Sequence, residues 1–263
     1  MRIQLKIDHL PHQQLPINYP YLISSWIYHV LYSSDSAFAT WLHEHGYQTK
    51  GKRYKHFCFS MLRPQRYKIH PREKVFELVE GPTELVLSFN VDKAGKDIIK
   101  GLFKDNIMQI KSGEYFKMLG MVNQVELLSP PTFSEIMQYT TQTPICVSVK
   151  EENNPYATYL EPDDERYAET FAINLVDKAN AYLGDEKYHI DQVSFKLLSS
   201  KFQSKLWKIK GIKVKGYLYD FSLSAPPELQ EMGFAGGFGV QNASLGMGFC
   251  EVKKKKTIRK YLS

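Results

Sequence analysis

Residues 2–8 alternate strictly, with Ile3, Leu5 and Ile7 set against Arg2, Gln4, Lys6 and Asp8. A period of two predicts a strand with one buried and one polar face. The period then changes. Leu22, Ile23, Trp26, Ile27, Val30 and Leu31 fall at i, i+1, i+4, i+5, i+8 and i+9, which predicts an amphipathic helix over 20–32. A second helix fits 36–45, with Phe38, Trp41 and Leu42 inside and Gly46 as its stop. Apolar runs predict strands near 55–62, 74–80 and 84–91, then a helix over 93–105 and a strand over 119–128.

Pro130-Pro131 and the polar stretch 138–143 read as a boundary between domains spanning 1–130 and 131–263. Beyond it the order recurs. A strand at 144–149 precedes a long helix over 164–183, ended by Gly184. Strands follow at 190–198, 205–210 and 212–222, the last two turning at Gly211. A helical turn at 227–232 leads to a final strand, 247–253. Each half reads β-α-β-β-α-β. The expected class is α+β, with two tandem ferredoxin-like (RRM-like) domains and a C-terminal glycine-rich loop. No sequence repeat links the halves, so the duplication rests on element order.

At 263 residues and 43% hydrophobic content the chain can bury a sizeable core. Cys58, Cys146 and Cys250 stand far apart in apolar runs, and no Cys-x-x-Cys occurs. That argues against a zinc site or a disulfide framework and for reduced thiols in a cytoplasm. The N-terminus shows no apolar signal core. No apolar run reaches the roughly 20 residues that span a bilayer, so no membrane partner is expected.

The net charge of +6 permits a nucleic-acid partner, and its distribution says more. Lysines occupy 196, 201, 205, 208, 210, 213 and 215, with no acid from 192 to 219. Lys208, Lys210, Lys213 and Lys215 alternate with Trp207, Ile209 and Val214, giving one apolar and one cationic face. Residues 233–249 then hold six glycines in seventeen positions. Such a loop offers positive φ angles and exposed amides that attract phosphate oxygens. A flexible tail or a tight hairpin is the plain alternative. A dinucleotide loop is disfavoured because Asn242 stands where the third glycine of Gly237-x-Gly239-x-x-Gly belongs. The Gly-Lys-Ser/Thr of a P-loop is absent.

The segment Gly237-Phe-Gly239 through Ser244-Leu-Gly246-Met-Gly248 resembles the C-terminal glycine-rich loop of the CRISPR repeat-processing endoribonucleases, CRISPR-associated protein family six of the RAMP superfamily. Trp26-Ile-Tyr28, Ala39-Thr-Trp-Leu-His43-Glu44 and Lys55-His-Phe-Cys-Phe-Ser60 resemble the same family near the N-terminus. The resemblance implies a ribonuclease without metal or other cofactor. Its partner would be CRISPR repeat RNA, as precursor and as mature guide. Other interference-complex subunits join the implied partners, and monomer and homodimer both stay open. The family's His, Tyr and Lys land on His43, Tyr28 and Lys55. The implied RNA-binding set is Lys205, Lys208, Lys210, Lys213, Lys215, Gly237, Gly239, Ser244, Gly246 and Gly248. The alternative is a RAMP subunit that grips repeat RNA without cutting it.

The chemistry suits these residue types. RNA brings its own nucleophile, the 2′-OH, so the enzyme must move two protons and neutralise one developing charge. Histidine titrates near pH 6.5 and suits proton transfer. A predicted place at a helix C-terminus favours its protonated form. Tyrosine orients, and lysine neutralises. Neighbours leave alternatives open: His45 for His43, Tyr32 for Tyr28, and Lys50 or Lys52 for Lys55.

Overall fold

The computed structural model describes residues 1–114, 116–152, 156–209 and 211–253. Lys210 and the basic stretch after Lys253 lie outside them. Five helices are described: α1 (Pro20–Ser34), α2 (Ser36–Glu44), α3 (Asp92–Lys104), α4 (Tyr167–Leu183) and α5 (Pro227–Gly236). Pro20 opens α1 at a position that needs no amide donor. The Asp35 carboxylate caps α2 by accepting from the Phe38 amide at 2.9 Å. Gly184 ends α4, as its position predicts.

In the first half, Arg2–His9 lies between Phe116–Leu128 and Val75–Phe89, and Phe57–Phe59 pairs outside Val75–Phe89. Taken in chain order, that is fourth, first, third, second, all antiparallel, with α1 and α3 as the two crossovers. The second half repeats it. Ile136–Thr141 lies between Cys250–Val252 and Asp220–Ser224, with Ser194–Leu197 outside, and α4 and α5 connect them. Both halves therefore have ferredoxin-like strand order. One cluster of buried side chains gathers Ile3, Leu5, Ile27, Leu31 and Ile98; another gathers Tyr139, Phe171, Phe221 and Phe238.

The structure departs from the sequence reading in several places. The strands expected at 74–80 and 84–91 are one strand, Val75–Phe89, and Arg63–His70 pairs along it. The polar stretch 138–143, read as a boundary, largely belongs to the central strand Ile136–Thr141, where Met137 and Tyr139 point into the core. The strand expected over 144–149 is Ser148–Lys150, paired with Ala157–Tyr159. The one expected over 212–222 breaks into Ile212–Leu218, in a hairpin with Gln203–Ile209, and Asp220–Ser224, in the sheet. The short hairpin Tyr47–Thr49/Lys52–Tyr54 was not signalled by any apolar run.

Arg2 was expected on a polar outer face, and it is buried. Its guanidinium lies 3.3 Å from the Phe234 ring centre and 4.2 Å from that of Phe249. It donates to the Phe234 and Cys250 carbonyls, each at 2.8 Å, and pairs with Glu251 at 3.1 Å. The open face of the first sheet is covered here by the second half, so a strand's polar side became an interior.

Candidate active site

α1 carries Tyr28 on its half-buried side, against the Phe57 ring at 5.6 Å. The last turn of α2 carries His43, whose exposed ring meets Tyr28 edge-on with centroids 5.0 Å apart. Burial pushes the Tyr28 hydroxyl above its usual range, so at neutral pH it is a donor. After α2 the chain makes the hairpin Tyr47–Tyr54 and returns at Lys55. The Lys55 ammonium donates to the carbonyls of Leu42 at 2.5 Å and His43 at 2.8 Å. A cation there completes the carbonyl end of α2. Burial, and secondarily the Arg53 charge, push Lys55 down to about 8.

The alternatives separate in space. Lys50 and Lys52 both reach the buried Asp177 carboxylate of α4, at 3.0 and 2.8 Å. Tyr32 and His45 share a different depression, with Trp41 and Glu44. The rings of Tyr28 and His43 meet, and Lys55 reaches the backbone carbonyl of His43. The pair at Asp177, the Tyr47–Tyr182 ring contact at 5.2 Å and an Asn174 to Tyr54 hydroxyl bond at 3.4 Å dock the hairpin 47–54 on α4.

The glycine loop packs beside this segment. Gly237, Gly239, Gly246 and Gly248 are buried, and Ser244 is half-buried. The Gly246 amide donates to Ala243 and the Gly248 amide to Pro144, so neither is free for a ligand. Among the described residues, the amides of Gln241, Asn242 and Ala243 have no backbone acceptor. In the basic hairpin, Trp207, Ile209 and Val214 face Cys146 and Met247, and Lys208 lies directly opposite Lys213. Like charges so placed repel. Lys215 is paired with Glu161 at 3.1 Å, and Lys205 is half-buried.

The sequence reading missed two groups, His56 and Lys178. Lys178 follows Phe171 and Leu175 at helical spacing, so a charge on the apolar stripe of α4 was the available signal. His56 is buried among the Tyr47, Tyr54 and Tyr182 rings and holds a left-handed φ of 55°. Burial, then the Lys178 charge, push it down to about 3. The unfolded chain takes up this proton near pH 6.5 and the folded one only near 3. Stability should therefore fall as pH drops from 6.5 toward 3, this group adding a slope approaching about 1.4 kcal/mol per pH unit. His56→Asn should show a slope shallower by that amount in denaturation series between pH 6.5 and 4. Parallel slopes would refute the assignment.

Comparison with known proteins agrees with this picture. Residues 128–252 match the family model "CRISPR associated protein Cas6, C-terminal". Two curated relatives are named CRISPR-associated endoribonuclease Cas6. The one from Methanocaldococcus jannaschii is 24% identical over 94% of this chain and 91% of its own length. The one from Pyrococcus furiosus is 24% identical over 94% and 86%. Among solved structures, a Cas6-related protein from Pyrococcus furiosus superposes with a TM-score of 0.81 at 22% identity, covering 97% of this chain and 99% of that one. A RAMP protein described as binding different RNA substrates gives 0.78 at 22%, covering 97% and 100%. Residues 128–252 thus carry the Cas6 C-terminal match, and the chain is similar over nearly its whole length to two proteins named CRISPR-associated endoribonuclease Cas6, with a tandem fold like that of the solved Cas6-related structure.

Proposed function

We propose that this chain is an endoribonuclease that binds CRISPR repeat RNA and cuts precursor transcripts within each repeat. The observation that carries this reading is the meeting of the Tyr28 and His43 rings, with centroids 5.0 Å apart, where the Lys55 ammonium holds the His43 carbonyl. In the reaction, the 2′-oxygen attacks the adjacent phosphorus and the bond from phosphorus to the 5′-oxygen breaks. The products are a 2′,3′-cyclic phosphate and a 5′-OH. One proton leaves the 2′-OH and one reaches the 5′-oxygen. His43 is the proton-transfer group of the three, because an imidazole can both accept and donate a proton. Tyr28 directs its O–H at the phosphate, and Lys55 offers a cation to the charge that grows on it. The first half supplies the chemistry and the second half the grip. The three cysteines are buried and free, in keeping with a reducing cytoplasm. Among the described residues no helix is long and apolar enough to cross a membrane.

The deciding experiment incubates the protein with repeat RNA in EDTA and analyses the ends. Cleavage to a 2′,3′-cyclic phosphate and a 5′-OH is expected. Tight binding without any cleavage would instead make the chain a non-catalytic RAMP subunit. Affinity should also fall steeply with salt, because the cationic face of the basic hairpin displaces counterions. The double variant Lys208→Ala/Lys213→Ala, on the exposed face, should bind more weakly and with a log–log salt slope shallower by roughly 1.4. Filter binding from low to moderate salt reads both, and an unchanged slope makes this hairpin an ordinary solvated surface.

A further inference from the structure

One crevice between the halves concentrates features that each cost the fold stability. Its walls are Arg53, Lys55 and His56 from the first half, with Lys178, Asn242 and Ser244 from the second. Lys178 is only 3% exposed. Its ammonium donates to the Gly237 carbonyl, and among the described residues no carboxylate pairs with it. The adjacent Asp177 is no counter-charge, because its two oxygens face Lys50 and Lys52. A buried cation without a partner is expensive. Burial accordingly lowers Lys178 to about 8, where it stays mostly charged at neutral pH.

His56 adds two more costs at the same place. It holds a backbone conformation that non-glycine residues rarely adopt. With the Asn90 amide donating to Nδ1 at 3.3 Å, the ring proton sits on Nε2, which has no acceptor among the described residues. Asn242 is likewise left-handed, at φ 64°, in a segment, 241–243, whose amides have no backbone acceptor among the described residues. Among the described residues, no acidic one lines the crevice. Three cations, an amide-bearing turn and no carboxylate form a site short of one anion.

We infer that this crevice seats a backbone phosphate of the bound RNA, with Lys178 as its buried counter-charge and the amides of Gln241, Asn242 and Ala243 as its further donors. The inference rests on the ribonuclease reading above and adds a phosphate subsite to it. Lys55 lines this crevice and also donates to the His43 carbonyl, so the phosphate held here lies beside the proposed cleavage site. A phosphate at this point gives Lys178 the negative partner that the protein withholds.

The test uses repeat RNA carrying a 2′-deoxy sugar at the cleavage position, so that binding is read without cutting. Lys178→Gln keeps a donor for Gly237 but removes the charge. Lys178→Met removes both. Each should weaken the Kd at least about tenfold, the scale of a lost charge-assisted hydrogen bond. Each should reduce the salt slope by about 0.7, the share of one phosphate on a single strand. Lys178→Met should melt at or above the wild-type temperature, because a buried charge has gone. A wild-type protein that fails to hold the RNA sinks the ribonuclease reading and this inference with it. Tight wild-type binding with variants within twofold in Kd and equal in slope overturns this inference alone. So does a variant that melts far below wild type yet binds equally well when folded, since Lys178 would then be structural.

Discussion

His43→Ala is expected to slow repeat-RNA cleavage at least ~100-fold, the usual scale for a lost general acid or base, while the Kd stays within a few-fold. The substitution should be silent for the fold. The ring is exposed and touches Tyr28 only edge-on. The bond that holds Lys55 is made by the backbone carbonyl of residue 43, which alanine retains. Alanine also favours the helix in which it would sit. Single-turnover cleavage with enzyme in excess separates the chemical step from binding. His45→Ala is the control, because its ring lies toward Tyr32 and Glu44. Normal cutting by His43→Ala together with a dead His45→Ala would move the assignment by two residues.

The second large effect is expected at Gly248. A Cβ there would fall 1.9 Å from the Phe238 carbonyl oxygen, in a backbone with φ of 77°. Neither the side chain nor the backbone can yield cheaply, because the Phe238 amide donates to the Gly248 carbonyl at 2.9 Å and Phe238 sits in the second core. Gly248→Val should cost at least about 3 kcal/mol, adding overpacking to an unfavourable φ. That corresponds to a melting point lowered by roughly 6 °C or more. RNA binding should fall as well, since the strand that leaves this glycine, Cys250–Val252, anchors the loop to the sheet. Gly246→Val is the milder neighbour, its Cβ meeting the end of the Phe59 ring at 2.6 Å. A Gly248→Val protein that melts within a degree of wild type would mean that the loop has slack which these contacts do not show.

The long amphipathic helices were legible because their apolar spacing is set by the same face they bury. α1, α3 and α4 all stand within a few residues of where periodicity places them. What escaped was decided by contacts distant along the chain. Arg2 looks like a solvent-facing position until Phe234 and Glu251 arrive from the other half. Tyr139 and Thr141 look like linker polarity, and they are buried because that strand is central. Tyr28, His43 and Lys55 have no local pattern that joins them, and only the family resemblance singled them out. In the structure Lys50 and Lys52 pair with Asp177, more than a hundred residues away, whereas Lys55 holds the carbonyl end of α2. The glycine-rich stretch is plain in the sequence, but the positive φ angles of Gly246 and Gly248 serve close packing against Phe59 and Phe238. The amides of Gly246 and Gly248 are used within the loop itself, on Ala243 and Pro144.

The Arg2 staple has a consequence for the newborn chain. Its guanidinium leaves the ribosome 249 residues ahead of Glu251. At ordinary translation speeds of 5–20 residues per second, that is a wait of roughly 12–50 s. The first sheet closes once Phe116–Leu128 has emerged, so the first half completes its hydrogen bonds while the Arg2 face is still wet. Docking of the halves, and with it the bracing of the Lys55 segment by α4, comes last in the life of each molecule.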